Sequence, residues 1–202
     1  MINQGSDVNH RNKEDQSVLI CAAMNEKCHY RTLKLLIDNG AVPRVNRLNN
    51  KDVLMNYLTN VEPLQLSAIE LLVDAGCNVN HSNNEGKVTL HYAVRNPTVT
   101  LEILQYLISK QADVNKVLYN NESVLESYCS YGFTLDREIV SYIIRQPFDL
   151  TLLSLFCFRQ IKQLIYDAVL EDGLLLVKVM HRLRCSKLLK QGAIFEIIKY
   201  IM

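Results

Sequence analysis

A pattern that recurs every 35 or 36 residues constrains the fold of this chain more than any other feature. The segment Gly5-Ser6-Asp7-Val8-Asn9 returns as Gly40-Ala41-Val42-Pro43-Arg44, Gly76-Cys77-Asn78-Val79-Asn80 and Gln111-Ala112-Asp113-Val114-Asn115, and Pro147 begins a shorter last copy. The first positions of successive copies are separated by 35, 36, 35 and 36 residues. Such a period indicates a repeat protein, in which each unit stacks on its neighbours to bury a continuous core.

Two further landmarks keep the same period. Ser17-Val18-Leu19 aligns with Asp52-Val53-Leu54, with Val88-Thr89-Leu90 and with Ser123-Val124-Leu125. An apolar cluster, such as Leu35-Leu36-Ile37, precedes each glycine-type turn. Three landmarks that stay in phase over four copies exclude coincidence.

The chemistry of these positions defines the repeating unit. Gly40 and Gly76 follow apolar runs, where a helix often ends on a left-handed residue that glycine adopts without steric cost. The polar segment 80–86 predicts a projecting loop. Ser17 and Thr89 are predicted to cap the next helix through their side-chain oxygens. The fold class is therefore an all-α solenoid of helix-turn-helix-loop units.

The third copy carries a family resemblance. Gly86-x-x-Thr89-Leu90-His91-x-Ala93, then Leu104-x-x-Leu107 and Ala112-Asp113-Val114-Asn115, resembles an ankyrin repeat. Gln111 and Pro147 replace the usual glycine, and the units are longer than the usual length of about 33 residues. This loosened pattern resembles the divergent ankyrin proteins of poxviruses, known as the PRANC or host-range type.

The period also predicts the domain organisation. Residues 1–150 are expected to hold about four repeats, at approximately 6–40, 41–76, 77–111 and 112–147. In residues 151–202 the period stops and apolar residues such as Ile161, Leu164 and Ile165 follow a helical spacing. This segment is predicted to be a C-terminal helical cap.

The resemblance offers a second interpretation of the same segment. In poxviral ankyrin proteins the region after the repeats is F-box-like and binds the Skp-type adaptor of cullin ubiquitin ligases. The resemblance implies these possible adaptor-docking residues: Ile194, Phe195, Glu196, Ile197 and Ile201. The segment is thus either a cap or a truncated F-box-like stub.

Composition narrows the function. The net charge of +1 gives no electrostatic reason to expect a nucleic-acid or membrane partner. The most apolar run, 150–158, is shorter than the roughly 20 residues that span a bilayer. The N-terminus lacks a signal-peptide pattern, and Cys21 and Cys129 are expected to be buried thiols. We expect an intracellular protein, by resemblance in the host cytoplasm or the nucleus.

No residue pattern supports catalysis, a metal or a cofactor. His181 and Cys185 have the spacing of half a zinc site, but no second pair accompanies them. His91 is expected to bond backbone between repeats rather than to act as an acid or base. There is no glycine-rich phosphate loop and no nucleophile motif. The chain is predicted not to be an enzyme and to hold no cofactor.

The predicted function is protein binding. Stacked repeats present a row of loop tips, and the tips are predicted to contact the partner through His10, Arg11, Lys13, Asn46, Arg47, Asn49, His81, Asn83, Asn84, Lys116, Tyr119 and Asn120. The resemblance implies a host protein as partner, bound to counter host defence. Two alternatives stay open: a substrate-recruiting subunit of a ubiquitin ligase, and a truncated remnant of such a protein.

Overall fold

The protein forms an all-α repeat fold. The computed structural model describes residues 7–43, 45, 46, 48–131, 135–147 and 152. Over these residues the chain forms eight α-helices and no strands, apart from two isolated β-bridges. It divides into two compact units, Met1–Asp113 and Val114–Met202. The predicted fold class is confirmed. The predicted domain boundary after residue 150 stays a prediction.

The first unit contains three helix pairs. The first helices of the pairs, α1, α3 and α5, contact one another in order, and the second helices, α2, α4 and α6, do the same. Each first helix also packs on the second helix of its own pair. The six helices are α1 (Val18–Ala23), α2 (Tyr30–Asp38), α3 (Val53–Asn60), α4 (Leu66–Asp74), α5 (Thr89–Ala93) and α6 (Leu101–Ser109).

Side-chain oxygens cap the N-termini of the first two short helices, α1 and α3. The Ser17 hydroxyl accepts a hydrogen bond from Ile20 N at 3.3 Å, which confirms its predicted capping role. Asp52 occupies the same position before α3, and its Oδ1 accepts from Met55 N at 2.7 Å. These bonds satisfy backbone donors that a helix start leaves unpaired.

The start of α5 differs from the prediction. Val88, not Thr89, occupies the capping position, and Thr89 is the first helical residue. Thr89 lies one position too late for its hydroxyl to reach the donors of the first turn, so the predicted cap is wrong. Instead, His91 Nδ1 accepts a hydrogen bond from Val88 N at 3.4 Å, within the same repeat.

The longer helices end as the sequence predicts. Gly40 and Gly76 have φ angles of +87° and +108°, in the left-handed region. Gln111 keeps this conformation at φ +67° although it is not glycine. After α2, Ala41 N donates to Leu36 O at 3.0 Å, and this bond closes the helix end.

Leucine and isoleucine side chains fill the interior of the first unit. Leu33, Ile69 and Leu104 of the second helices are fully buried, as are Leu90 and Leu107. Burying such a side chain contributes about 1.5–3 kcal/mol relative to leaving it exposed. The predicted apolar faces therefore form the core.

Asparagine side chains join consecutive repeats. Asn9 Nδ2 donates to Gly40 O at 2.9 Å, and Asn9 Oδ1 accepts from Val42 N at 2.9 Å. Asn80 makes the equivalent pair with the turn after α6, at 2.7 and 2.8 Å. The recurring asparagine of the sequence pattern thus joins the first repeat to the turn after α2 and the third repeat to the turn after α6.

The second unit contains one described helix pair, α7 (Val124–Ser130) and α8 (Arg137–Arg145). Ser123 Oγ accepts from Glu126 N at 3.2 Å, and the Glu126 carboxylate accepts from Ser123 N at 3.0 Å. This reciprocal pair is a capping box. Between the helices, the Tyr128 hydroxyl accepts from Asp136 N at 3.0 Å.

Candidate protein-binding surface

Each short helix is preceded by a tight loop closed on itself by backbone hydrogen bonds. We name residues 11–17 loop 1, 45–52 loop 2 and 82–88 loop 3. A bond across the base of each loop measures 2.8–3.0 Å, as in Asn83 N to Lys87 O at 2.9 Å. In the second unit, residues 117–123 form an equivalent loop 4, closed by Leu118 N to Glu122 O at 3.0 Å.

Two predicted contact residues lie inside these loops. Asn46 and Asn83 are only 5% and 4% exposed. Asn83 Oδ1 accepts from Glu85 N and Lys87 N at 2.9 Å each, and its Nδ2 donates to the Tyr92 hydroxyl at 2.9 Å. Their prediction as exposed tip residues is wrong, because short amide side chains satisfy the donors of their own loop.

Arg11 links loop 1 to loop 2. Its guanidinium lies 2.5 Å from the Asp15 carboxylate and donates to Val45 O at 3.2 Å. From the other side, Asn46 Nδ2 donates to Glu14 O at 3.2 Å. Arg11 is half-buried and occupied by these bonds, so it supports the loops rather than projecting from them.

Loops 2 and 3 are linked more densely. His81 Nε2 lies 2.8 Å from Asn50 O, and Asn50 Nδ2 donates to Ser82 O at 2.8 Å. Asn84 Nδ2 donates to Leu48 O at 3.1 Å. His81, like Arg11, is thus a structural residue of the row. The three loops form one continuous surface, which we call the loop row.

Fewer of the predicted contact residues project outward than the sequence predicts, in the loop row and, separately, in loop 4. His10, Lys13, Asn49 and Asn84 are exposed in the first unit. In loop 4, Tyr119 is 81% exposed, Asn120 is exposed and Lys116 is half-buried. Arg47 lies outside the described residues. That these side chains contact a partner stays a prediction.

Sequence analysis missed Leu48, which is 68% exposed at the tip of loop 2. The predicted tip residues are polar or aromatic, so the aliphatic Leu48 was left out although it lies at the tip of the loop. Glu14 and Glu85 are also exposed beside the tips. A large apolar side chain held outward on a bonded loop suits contact with a protein surface.

A basic group lies beside loops 2 and 3. Lys51 Nζ lies 4.9 Å from the centre of the Tyr92 ring. Burial lowers the pKa of Lys51, and burial raises the pKa of the Tyr92 hydroxyl above its usual range. Lys87 has the same position in loop 3 that Lys51 has in loop 2, and it pairs with Glu85.

The four cysteines that the structure describes (Cys21, Cys28, Cys77 and Cys129) are all free thiols. Burial raises the pKa of the Cys77 thiol far above neutrality, so it stays protonated and unreactive. Cys129 is buried as predicted, whereas Cys21 is exposed, because it lies on the outer side of α1. Within the described ranges, no three His, Cys, Asp or Glu residues are placed to hold a metal ion.

Several predicted features fall beyond the described part of the chain. These are the half zinc site at His181 and Cys185 and the adaptor-docking residues Ile194, Phe195, Glu196, Ile197 and Ile201. Among the helices that are described, none has the length and apolar character to cross a bilayer.

Paired helices, left-handed turns and projecting loops at this period define an ankyrin-repeat fold, the class of scaffolds that bind other proteins. Residues 33–117 match the family model described as ankyrin repeats in three copies. A curated ankyrin repeat protein of Acanthamoeba polyphaga mimivirus is 24% identical over 149 residues, which cover 65% of this chain. The chain spans only 26% of the length of that relative. The poxviral type stays a prediction.

Proposed function

We propose that this chain binds a host protein through the loop row and performs no catalysis. Lys13, Leu48 and Asn84 occupy the outward positions of three loops that are bonded to one another. Because these loops are already ordered, binding costs little conformational entropy. The bonds between neighbouring loops are the observation that carries the proposal.

The similarity to a mimivirus protein supports a viral setting. That relative is itself described as an ankyrin repeat protein. Together with the poxvirus-like sequence pattern, it favours a viral ankyrin protein that acts inside the host cell, in the cytoplasm or nucleus. Its effect there would be to occupy a host protein and so blunt a defence response.

A triple substitution tests the loop row. We expect Lys13→Ala, Leu48→Ala and Asn84→Ala together to remove most host protein captured by the full chain. The melting temperature should change little, since surface substitutions usually cost under about 0.5 kcal/mol each. Capture is measured by affinity purification and quantitative mass spectrometry.

A matched control separates the loop row from the rest of the surface. Lys27→Ala, Leu35→Ala and Asn39→Ala remove the same residue types from exposed positions before, in and directly after α2. Asn39 Nδ2 donates to Leu35 O, just as Asn84 Nδ2 donates to Leu48 O. Equal capture by the loop variant and this control would move binding to another surface.

A second candidate function rests on the C-terminal sequence. Phe195-Glu196-Ile197 and Ile201 match half of the F-box-like motif, so the chain could recruit substrates to a cullin ubiquitin ligase. The full chain should then bind a purified Skp-type adaptor, and Phe195→Ala with Ile197→Ala should abolish that binding. No binding by the unmodified chain would exclude this candidate.

A further inference from the structure

Two lysines occupy equivalent positions in consecutive repeats. Lys51 follows the left-handed residue Asn50 of loop 2, and Lys87 follows Gly86 of loop 3. Both side chains are half-buried, and Tyr92 lies beneath the ammonium group of Lys51. Their equivalence in the stack brings two cations together at one edge of the loop row.

Only one of these lysines has a carboxylate partner. Lys87 pairs with Glu85, whereas no carboxylate in the described part of the chain lies within ion-pair distance of Lys51. The adjacent Asp52 is buried and accepts from Met55 N instead. A cation–π contact satisfies the Lys51 charge only in part, since such contacts are worth roughly 0.5–1 kcal/mol at exposed sites.

The surrounding charges leave a local positive excess. Glu85 raises and Arg95 lowers the pKa of the Tyr92 hydroxyl, after the larger effect of burial, so both charges act at this ring. Of the carboxylates described beside Lys51 and Lys87, only Glu85 is exposed, and both lysines lower its pKa. Burial lowers the pKa of Lys51; the Glu85 charge raises it and the Lys87 charge lowers it, both less than burial does. A bound anion would therefore favour the charged form of Lys51.

We propose that Lys51, Lys87 and Tyr92 form a subsite for an acidic segment of the protein partner. A carboxylate entering between loops 2 and 3 would pair with Lys51, while the Tyr92 ring holds the lysine stem in place. The inference rests on the proposed function and names the chemistry of the partner. The overall charge of +1 favours a short acidic peptide over a polyanion such as nucleic acid.

A pair of labelled peptides tests the subsite on the full chain. One alternates glutamate and alanine, and the other replaces each glutamate by glutamine. Fluorescence anisotropy should show binding of the glutamate peptide only. Raising the salt concentration from about 50 to about 300 mM should weaken that binding, because exposed charge pairs are screened. Equal binding of both peptides would overturn the proposal.

Substitutions assign the binding to the named lysines. Lys51→Met and Lys87→Met should each weaken binding of the glutamate peptide about tenfold. This factor corresponds to the loss of one ion pair of roughly 1.4 kcal/mol. Lys51→Arg should retain most affinity. Lys27→Met removes an exposed charge from the turn between α1 and α2 and should change affinity less than about twofold. Unchanged affinity in Lys51→Met would refute the subsite.

Two further readouts complete the test. In the unmodified chain, the glutamate peptide should protect Lys51 and Lys87, but not Lys27, from acylation, and mass spectrometry measures the modification. This readout does not depend on the folding of any variant. Tighter binding of single-stranded DNA than of the peptide, lost in Lys51→Met, would assign the subsite to nucleic acid. If no peptide experiment shows binding but capture of the host protein still depends on Leu48, the subsite is refuted and the scaffold function is not.

Discussion

Neighbouring asparagines in one loop have opposite roles. Asn83 is buried and bonds the backbone of loop 3, whereas Asn84 is exposed and bonds loop 2. Both are asparagines in a polar run, so residue type alone does not separate them. What separates them is the position of each residue relative to the left-handed Gly86, which fixes the path of the loop. A substitution at Asn83 therefore acts on stability, and one at Asn84 on the surface.

Asp52 is a residue whose charge opposes the fold. Its Oδ1 caps α3, but Oδ2 is buried and no group in the described part of the chain donates to it. Burial raises the pKa of the Asp52 carboxyl above its ordinary value of 3.8. Because the folded state binds this proton more tightly than the unfolded chain, stability is greatest below that value. It falls as the pH rises through the folded pKa.

We therefore expect Asp52→Ser to stabilise the protein by about 1 kcal/mol at pH 7, because serine caps equally well without a buried charge. The gain should shrink towards pH 4.5, where more of the carboxyl is already protonated. Urea unfolding at both pH values measures it. The reciprocal Ser17→Asp should lose more stability at pH 7 than at pH 4.5. A gain independent of pH would mean that the charge of Asp52 is not the cause.

At the scale of the helix, the backbone conformation of the residue that ends each longer helix affects the stability of the fold. Gln111 holds φ +67° after α6, where Gly40 and Gly76 stand after α2 and α4. The left-handed conformation costs a side-chain-bearing residue about 1–2 kcal/mol, which glycine avoids. Part of that gain is lost, because glycine has more conformational freedom in the unfolded chain. Gln111→Gly should therefore raise the free energy of unfolding by about 0.5–1 kcal/mol.

The reverse substitution provides the control. A Cβ at Gly76 would meet no atom within 4 Å, so Gly76→Gln tests backbone strain without a steric clash. It should lower the free energy of unfolding by about 1 kcal/mol. Chemical denaturation of both variants, with far-ultraviolet circular dichroism, measures the pair. If neither variant differs from the unmodified chain, the left-handed conformation costs nothing here.

The sequence predicts those elements whose determining residues recur in every repeat. The turn glycines and the apolar faces recur in every copy, so the sequence locates the helix pairs and core residues such as Leu90 and Leu107. The loops were less predictable, because whether an amide such as Asn46 points inward depends on a loop path that the pattern does not encode. Leu48 was missed for the same reason, since its exposure follows from that path and not from its hydrophobicity.

At the scale of the first unit, burial is unequal along the stack. Val18 of α1 is 43% exposed, whereas Val53 and Thr89 at the equivalent positions of α3 and α5 are fully buried. Leu35 of α2 is likewise 55% exposed. In a repeat stack each unit is stabilised by its neighbours, so α3, which contacts α1, α4 and α5, receives support from both sides.

This asymmetry predicts the order in which the first unit opens. Amides of α1 and α2 should exchange fastest among its helices, and those of α3 and α5 slowest, because partial opening of the first repeat exposes less apolar surface. A difference of about 1.4 kcal/mol corresponds to tenfold slower exchange, which hydrogen-exchange mass spectrometry resolves on peptides covering each helix. Leu33→Ala leaves a cavity in the first repeat and should speed amide exchange in α1 and α2 much more than in α5. Leu104→Ala in the third repeat should do the reverse. Uniform acceleration of all six helices by both variants would mean that the unit unfolds as one cooperative body rather than repeat by repeat.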